Sequence, residues 1–576
     1  MTAPFGPSPS DPPVAAPQTE DSRAEPPDME RPAYRWWLIA SLAALVLLLF
    51  GSSLGYGYSN WDDPIFVYQN PYVQAATWDN VRTIFTPKGI PREQIYVPLF
   101  YFSFLVEASV AGLKPSVTHG VNIALHLANV LLVFHLLRRL SGKIWPAYLA
   151  ALAFAVHPVQ AEAVVWAMGR KDLLSTVFGL ISILCYLRYQ ESRDRAMIAL
   201  SLLAFTAGVL SKPTLLTLPG VFVLLDFLRL PKVGTRDFGN KIAFIAACIF
   251  IYTLNSQYPT DPPDVDRSML LRLACLPWML WHWWLRLGLA EQPIAVYAWP
   301  DHLGLGSILG LGALALAVLV GLGLWAWRGR DRQMAIGLGF AALAGLPAAS
   351  IVLSSRPFVT ADRYGYFPLI GFFFAVAIGI WRLPAAARKI AVTVVAVWLC
   401  AAAAMTPRAN VAWSDSRILW QRVVQASPES AIAWQHLAVA HAEASDIAPA
   451  DHAFRTALVL QPDDSTTQWN YQTYLASHPD LPALLRAINE TLANDPDDPH
   501  ALVARRALGV FMTTSQAETA LRRTLADRPD YLPAWLLLAG YYDSQDRHDD
   551  AIACYRRILL LDPTNPRARH ALGPAQ

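Results

Sequence analysis

Two adjacent carboxylates, Asp62 and Asp63, stand in the run Tyr58-Ser-Asn-Trp-Asp-Asp-Pro64, a few residues beyond the first long apolar segment. A carboxylate held among aromatics at a membrane surface can take a proton from a hydroxyl, or orient that hydroxyl for attack. A like-charged neighbour and partial burial would raise its pKa. The plainer alternative is that Asp62 caps a turn begun by Pro64. Because Pro64 restricts the backbone of the residue before it, Asp63 is expected to be the less tolerant of substitution.

A second constellation reads His157-Pro-Val-Gln-Ala-Glu162, followed by Trp166 and Gly169-Arg170-Lys171-Asp172. Ionisable groups at the end of an apolar run are costly in lipid and usually have a purpose. Arg170 and Lys171 beside carboxylates suit a phosphate-bearing ligand, for which arginine offers a planar fork of donors. The alternative is a helix break at Pro158 with a solvated Arg-Lys-Asp turn. A third group, Arg356-Pro-Phe-Val-Thr-Ala-Asp362-Arg363-Tyr364-Gly-Tyr366, offers Arg363 to a lipid phosphate. It reads equally as a self-neutralising Asp362–Arg363 pair with Tyr364 and Tyr366 as interfacial belt residues. Ser211-Lys212 adds one more outward lysine.

The elements that must position these groups follow from a split in composition. The chain is 54% hydrophobic and only 16% charged, and the apolar runs are confined to Trp36–Met405. That excludes a single soluble globule, and the polar tail beyond Pro407 excludes a wholly intramembrane protein. A net charge of +2 gives no electrostatic case for nucleic acid. Five scattered cysteines show neither a disulfide framework nor metal-ligand spacing. Residues 1–35 read as a disordered cytoplasmic tail, with nine prolines before Tyr34.

The spans expected are 36–56, 119–140, 147–167, 172–189, 196–211, 213–229, 241–258, 304–327, 334–354, 364–382 and 389–406. Alternating sides puts five clusters of basic residues in the cytoplasm if two further stretches, 96–113 and 269–290, lie at the outer interface. The expected fold is therefore all-α: a membrane domain over 36–406 with about eleven crossings and two interfacial helices, then a tail over 407–576 on the outer side. In the tail, prolines at 428, 462, 496, 529 and 563 recur at spacings of 34, 34, 33 and 34. That is the period of the tetratricopeptide repeat, so the tail is expected to be an α-solenoid. By this topology all three constellations converge on the outer face.

The ordered set Asn60-Trp-Asp-Asp63, His157-Pro-Val-Gln-Ala-Glu162, Gly169-Arg-Lys-Asp-Leu-Leu-Ser175, Ala361-Asp-Arg-Tyr364 and the repeats resembles the transmembrane and tetratricopeptide-repeat O-mannosyltransferase family over roughly 36–570. The resemblance implies a C-type glycosyltransferase fold and a polyprenyl-phosphate sugar as donor. It implies transfer of mannose or another hexose to serine or threonine hydroxyls of proteins, by a single inverting displacement. Asp62, Asp63 and Glu162 would then be catalytic, and Arg170, Lys171, Arg363 and His157 would hold the donor phosphate. No cofactor or dedicated metal site is implied, although two aspartates could hold a divalent ion weakly. The segment Val296-Tyr-Ala-Trp-Pro300 matches the family's tyrosine–proline segment only loosely.

The repeat tail is expected to bind the acceptor protein and supply acceptor choice, not bond chemistry. A glycosyltransferase acting on a glycolipid and a non-catalytic membrane-anchored repeat scaffold are the alternatives. The ending Gly573-Pro-Ala-Gln576 is no retention signal, which points to a bacterial inner membrane with the site in the periplasm. The corresponding place in a eukaryote is the endoplasmic reticulum membrane and lumen.

Overall fold

The computed structural model describes residues 32–90, 95–229, 239–258, 269–287, 294–297, 299, 304–328, 331–349, 360–462 and 464–476, then 518, 522, 525–526, 529–530, 532–544, 546–563 and 565–572. The expected tail over 1–31, the loop 350–359 and most of the two middle repeats lie outside these. The described elements are helical, and the β structure among them is one isolated bridge between Tyr297 and Thr360.

Five described helices are long and apolar enough to cross a bilayer: Trp36–Gly55, Pro115–Ser141, Ala167–Ser192, Leu305–Trp325 and Ala385–Val411. Shorter apolar helices, among them Pro98–Ala111, Ile144–Val156, Arg195–Ser211, Lys241–Asn255 and Pro368–Arg382, pack between or beside them. The first helix shows why such a segment needs lipid. Leu42, Val46 and Phe50 are buried, yet Leu47 and Leu48 on the other side are exposed. A helix apolar all round has no water-facing side. Polar bonds then fix its register: the Asn410 amide donates to the Leu49 carbonyl at 2.8 Å, and the Ser41 and Tyr148 hydroxyls lie 2.8 Å apart. The chain is a multi-pass membrane protein.

Close helix pairs are made by small residues. The helices Arg170–Ser192 and Arg195–Ser211 form an antiparallel pair, in which Ser182 and Ser201 each donate to the other's carbonyl at 2.7 and 2.8 Å. Arg332–Gly345 and Pro368–Arg382 meet at Gly337 and Gly371. A Cβ on Gly371 would lie 2.5 Å from the Gly337 carbonyl oxygen, so no larger residue fits there.

One expected span is corrected. The run 147–167 is not one helix: it ends at Val156, and a short helix Gln160–Val165 and a turn Ala167–Gly169 follow before the next long helix starts at Arg170. Pro158 has no N–H to continue the ladder. The fold back at Gly169 is so tight that a Cβ there would sit 2.3 Å from the Ala163 carbonyl oxygen. The run 213–229 likewise opens as a 3-10 turn, Pro213–Thr217, before the helix Leu218–Arg229.

The repeats have a shared chemical signature beyond their prolines. The side chain six residues after each of four prolines donates to that proline's carbonyl: Trp434 to Pro428 at 2.8 Å, Gln468 to Pro462 at 2.6 Å, Trp535 to Pro529 at 2.9 Å and Arg569 to Pro563 at 2.8 Å. Each bond ties the first helix of a repeat to the turn before it, satisfying a carbonyl that no helix uses. The first repeat, Ala431–Glu443 with Ile447–Leu460, shares one hydrophobic core with the membrane domain, while Leu532–Ser544 and His548–Leu561 build a separate one.

Candidate active site

Asp63 stands at the N-cap position of the turn that Pro64 begins but makes no side-chain capping bond to it. Its carboxylate turns back to Ser59, accepting the backbone N–H at 2.8 Å and the hydroxyl at 3.0 Å. It is 1% exposed, and this burial pushes its pKa up to about 7, with the Ser59 bonds offsetting part of the effect. Asp62 is half-buried and acts electrostatically on Lys171. Of the pair, Asp62 is the more exposed.

Between the carboxylates lies an aromatic wall. Trp61 stacks on Trp166 at 4.8 Å between ring centroids, and Trp166 on Trp413 at 5.5 Å. The Arg363 guanidinium sits over the Trp61 and Trp166 rings at 5.4 and 5.2 Å. Glu162 holds it there, pairing with the guanidinium and accepting the Arg363 backbone N–H at 2.8 Å. Glu162 is itself buried in the short helix after Pro158. The contacts it makes are with Arg363. The expected Asp362–Arg363 pair is also corrected. Asp362 instead accepts the Tyr297 hydroxyl on both oxygens at 2.9 Å, and burial pushes its pKa up to about 7 against the opposing charge of Arg286.

Arg170 departs from its expected place at a phosphate. Its side chain is fully buried, ion-paired to Glu107 at 2.6 Å, and donates to Asn122 and to the Thr118 carbonyl at 3.0 Å each. It also lies 4.1 Å from the Phe104 ring centroid. A guanidinium buried in this way has no exposed face to offer a ligand. His157 is likewise turned away: it packs against Phe373 and Trp398 and accepts the Val159 N–H at 3.2 Å. Nor is Tyr366 a belt residue, because it is buried with its hydroxyl 2.7 Å from His126.

Lys171 behaves differently. It sits over the Phe66 and Phe100 rings at 5.8 and 5.0 Å, and among the described residues no carboxylate comes within ion-pair distance. Arg363 also borders a cleft of about 370 Å³, counting space open to the outside, with Asp172, Ser175, Thr176, Thr214 and Tyr364. Lys212, the extra lysine, pairs with Asp172 at this cleft and faces the Tyr364 ring at 5.0 Å. Asp62, Lys212, Arg363 and Asp172 all act electrostatically on Lys171, so these charges form one cluster.

Sequence reasoning missed Glu107, Thr118 and Asn122 as parts of this assembly. Glu107 carried a signal, being a lone acid in an apolar stretch, but its partner lies 63 positions away (170 less 107).

The raised pKa values give a signed expectation. Asp63 and Asp362 both titrate near 7 when folded, against 3.8 for a freely solvated aspartate, so the folded protein holds more protons between those values. Stability therefore falls as pH rises from about 4 to about 7. Asp63→Asn should make that slope shallower in thermal melts, and adding Asp362→Asn shallower again. An unchanged slope in the double variant would contradict the burial of both groups.

A family profile described as dolichyl-phosphate-mannose-protein mannosyltransferase matches residues 104–256, and a tetratricopeptide repeat profile matches residues 513–573. Protein O-mannosyl-transferase TMTC1 of Mus musculus is 32% identical over 207 residues, covering 32% of this chain and 22% of the relative. Protein O-mannosyl-transferase Tmtc2 of Drosophila melanogaster is 32% identical over 225 residues, 37% of this chain and 23% of the relative. A longer and weaker match, 22% identity over 606 residues, covers 92% of this chain and 64% of protein O-mannosyl-transferase TMTC3 of Mus musculus. The chain thus spans under a quarter of the first two relatives and just under two thirds of the third. Both profiles fall on this chain in the order that its helices show, membrane domain first and repeats after, and in this the chain is similar to the tetratricopeptide-repeat-containing O-mannosyl-transferases.

Proposed function

We propose that the protein transfers mannose or a related hexose from a polyprenyl-phosphate donor to serine or threonine hydroxyls of proteins on the non-cytoplasmic side of the membrane. The observation that supports this reading is the grouping of Asp62 and Arg363 about Lys171, on which both act electrostatically, with the Arg363 guanidinium over the ring of Trp61 next to Asp62. The acceptor oxygen attacks the anomeric carbon while the bond from that carbon to the phosphate oxygen breaks. The hydroxyl proton passes to Asp62, and the departing phosphate keeps the bonding electrons, its charge stabilised by Lys171 and Arg363. Attack from the face opposite the phosphate inverts the anomeric centre. The donor phosphate lies beside Lys171 and Arg363, and the lipid tail stays in the bilayer.

Sidedness follows from the basic clusters, such as Arg138/Arg139/Lys143 and Arg188/Arg193/Arg195, which lie at the helix ends away from the Asp62 loop. The count of about eleven crossings and the domain limits 36–406 and 407–576 belong to the same proposal.

The test is transfer of radiolabelled mannose from polyprenyl-phosphate mannose to a threonine-bearing peptide, using sealed vesicles of known orientation. Label should reach the peptide only from the non-cytoplasmic face. Lys171→Gln should raise the donor KM at least about tenfold and leave the acceptor KM alone, since it removes one charge-assisted contact to phosphate. Absence of transfer from any polyprenyl-phosphate hexose would sink the reading, as would transfer confined to the cytoplasmic face.

A further inference from the structure

The repeat domain reaches the carboxylate loop directly. Asn60, two residues before Asp62, is bonded at three points to it. The Trp420 indole N–H donates to the Asn60 side-chain oxygen at 2.8 Å, and the Asn60 amide donates to the His436 carbonyl at 3.1 Å. The Asn60 backbone N–H donates to the Ser416 hydroxyl at 2.9 Å. These partners come from two helices, Ser416–Ala426 and Ala431–Glu443. Trp420 is fully buried, stacks on His436 at 4.3 Å, and meets the edge of Trp61 at 5.4 Å. The side-chain donor, the side-chain acceptor and the backbone N–H of Asn60 are all taken by the tail.

We infer that Trp420 and Ser416 of the repeat domain are positioning residues of the transfer site, setting where Asp62 stands through Asn60 and Trp61. This deepens the proposed transferase reading and rests on it for the catalytic consequence. It also revises the expectation that the tail supplies acceptor choice alone. The physical reason is local. A buried side-chain amide whose partner is lost has no water to replace it, so the loop must shift to find another donor. Such a shift moves Asp62 by a fraction of an ångström or more, and misplacement of that size is costly for a group that must meet a proton.

The experiment uses the full chain in lipid nanodiscs and two readouts. Trp420→Phe keeps the ring stack and removes the N–H. Ser416→Ala removes the hydroxyl, and Ser416→Thr retains it. The first readout is amide hydrogen exchange of the segment 58–69, which needs no substrate. Exchange should quicken about tenfold in Trp420→Phe and Ser416→Ala, with the last repeat unchanged and Ser416→Thr close to wild type. Unchanged exchange at 58–69 would overturn the inference whatever the activity. The second readout is transfer to a blocked tripeptide with one threonine, too short to lie along the repeats. Trp420→Phe should lower kcat about ten- to a hundredfold with the donor KM unaltered. A normal kcat, or a defect seen only as a raised KM for long acceptors, would mean recruitment and overturn it. A wild-type protein without transfer would refute the transferase reading alone, since the exchange result stands by itself.

Discussion

Asp62→Asn is expected to lower transfer by about 10²–10⁴-fold, the usual contribution of a positioned general base, while donor KM and thermal stability stay near wild type. The amide matches the acid in volume, and Asp62 is the half-buried member of the pair, so little packing is at stake. Asp63→Asn should cost less. That carboxylate is buried and held by Ser59, whose two bonds go to one oxygen, so an amide oxygen in the same place can still accept both. This reverses the ranking that Pro64 suggests from sequence, because burial, and not backbone stiffness, decides which carboxylate can touch a hydroxyl. Steady-state kinetics of both single variants under saturating donor would settle the matter. Full activity in Asp62→Asn with loss in Asp63→Asn would move the base to Asp63.

The second large effect concerns stability. Glu107→Gln should destabilise the protein by about 3–5 kcal/mol, because it leaves the Arg170 guanidinium buried without its counter-charge. The substitution keeps the shape at Glu107 but not the charge that compensates the desolvated arginine. The loss should reach the active site as well, since the same cluster touches the loop: Thr118 donates to Glu107, and the Tyr58 and Thr118 hydroxyls lie 2.9 Å apart. Replacing both partners, Glu107→Leu with Arg170→Met, should recover most of the lost stability, as apolar pairs of similar volume often do in place of buried ion pairs. Thermal melts of the single and double variants in the same detergent give the comparison. A single variant as stable as wild type would show that Arg170 finds water or another partner.

The amino-acid sequence by itself determined the helical class, the division into membrane and repeat parts and the period of the repeats. Each of these is a local or periodic property: an apolar run long enough for lipid, or a proline returning every 33 or 34 residues. The six-residue link from Trp434 back to Pro428 is of the same kind, since both partners lie within one repeat. The Asp62-Asp63 loop and the Gly169–Asp172 stretch were also legible as unusual, because charge beside apolar runs is costly wherever it occurs.

Which of those charges face a ligand was decided only in three dimensions. Arg170 and Lys171 are neighbours in sequence with the same formal charge, yet Arg170 is locked against Glu107 while Lys171 meets the Phe66 and Phe100 rings. Successive helical residues point about 100° apart, so adjacent cations at a helix start must take different surroundings. Glu162 meets Arg363 across 201 positions, and Asn60 meets Trp420 across 360. No local pattern encodes pairings at such separation. They exist because the helix break at Pro158 turns Glu162 inward and because the first repeat packs into the core of the membrane domain, bringing its tryptophan to the carboxylate loop.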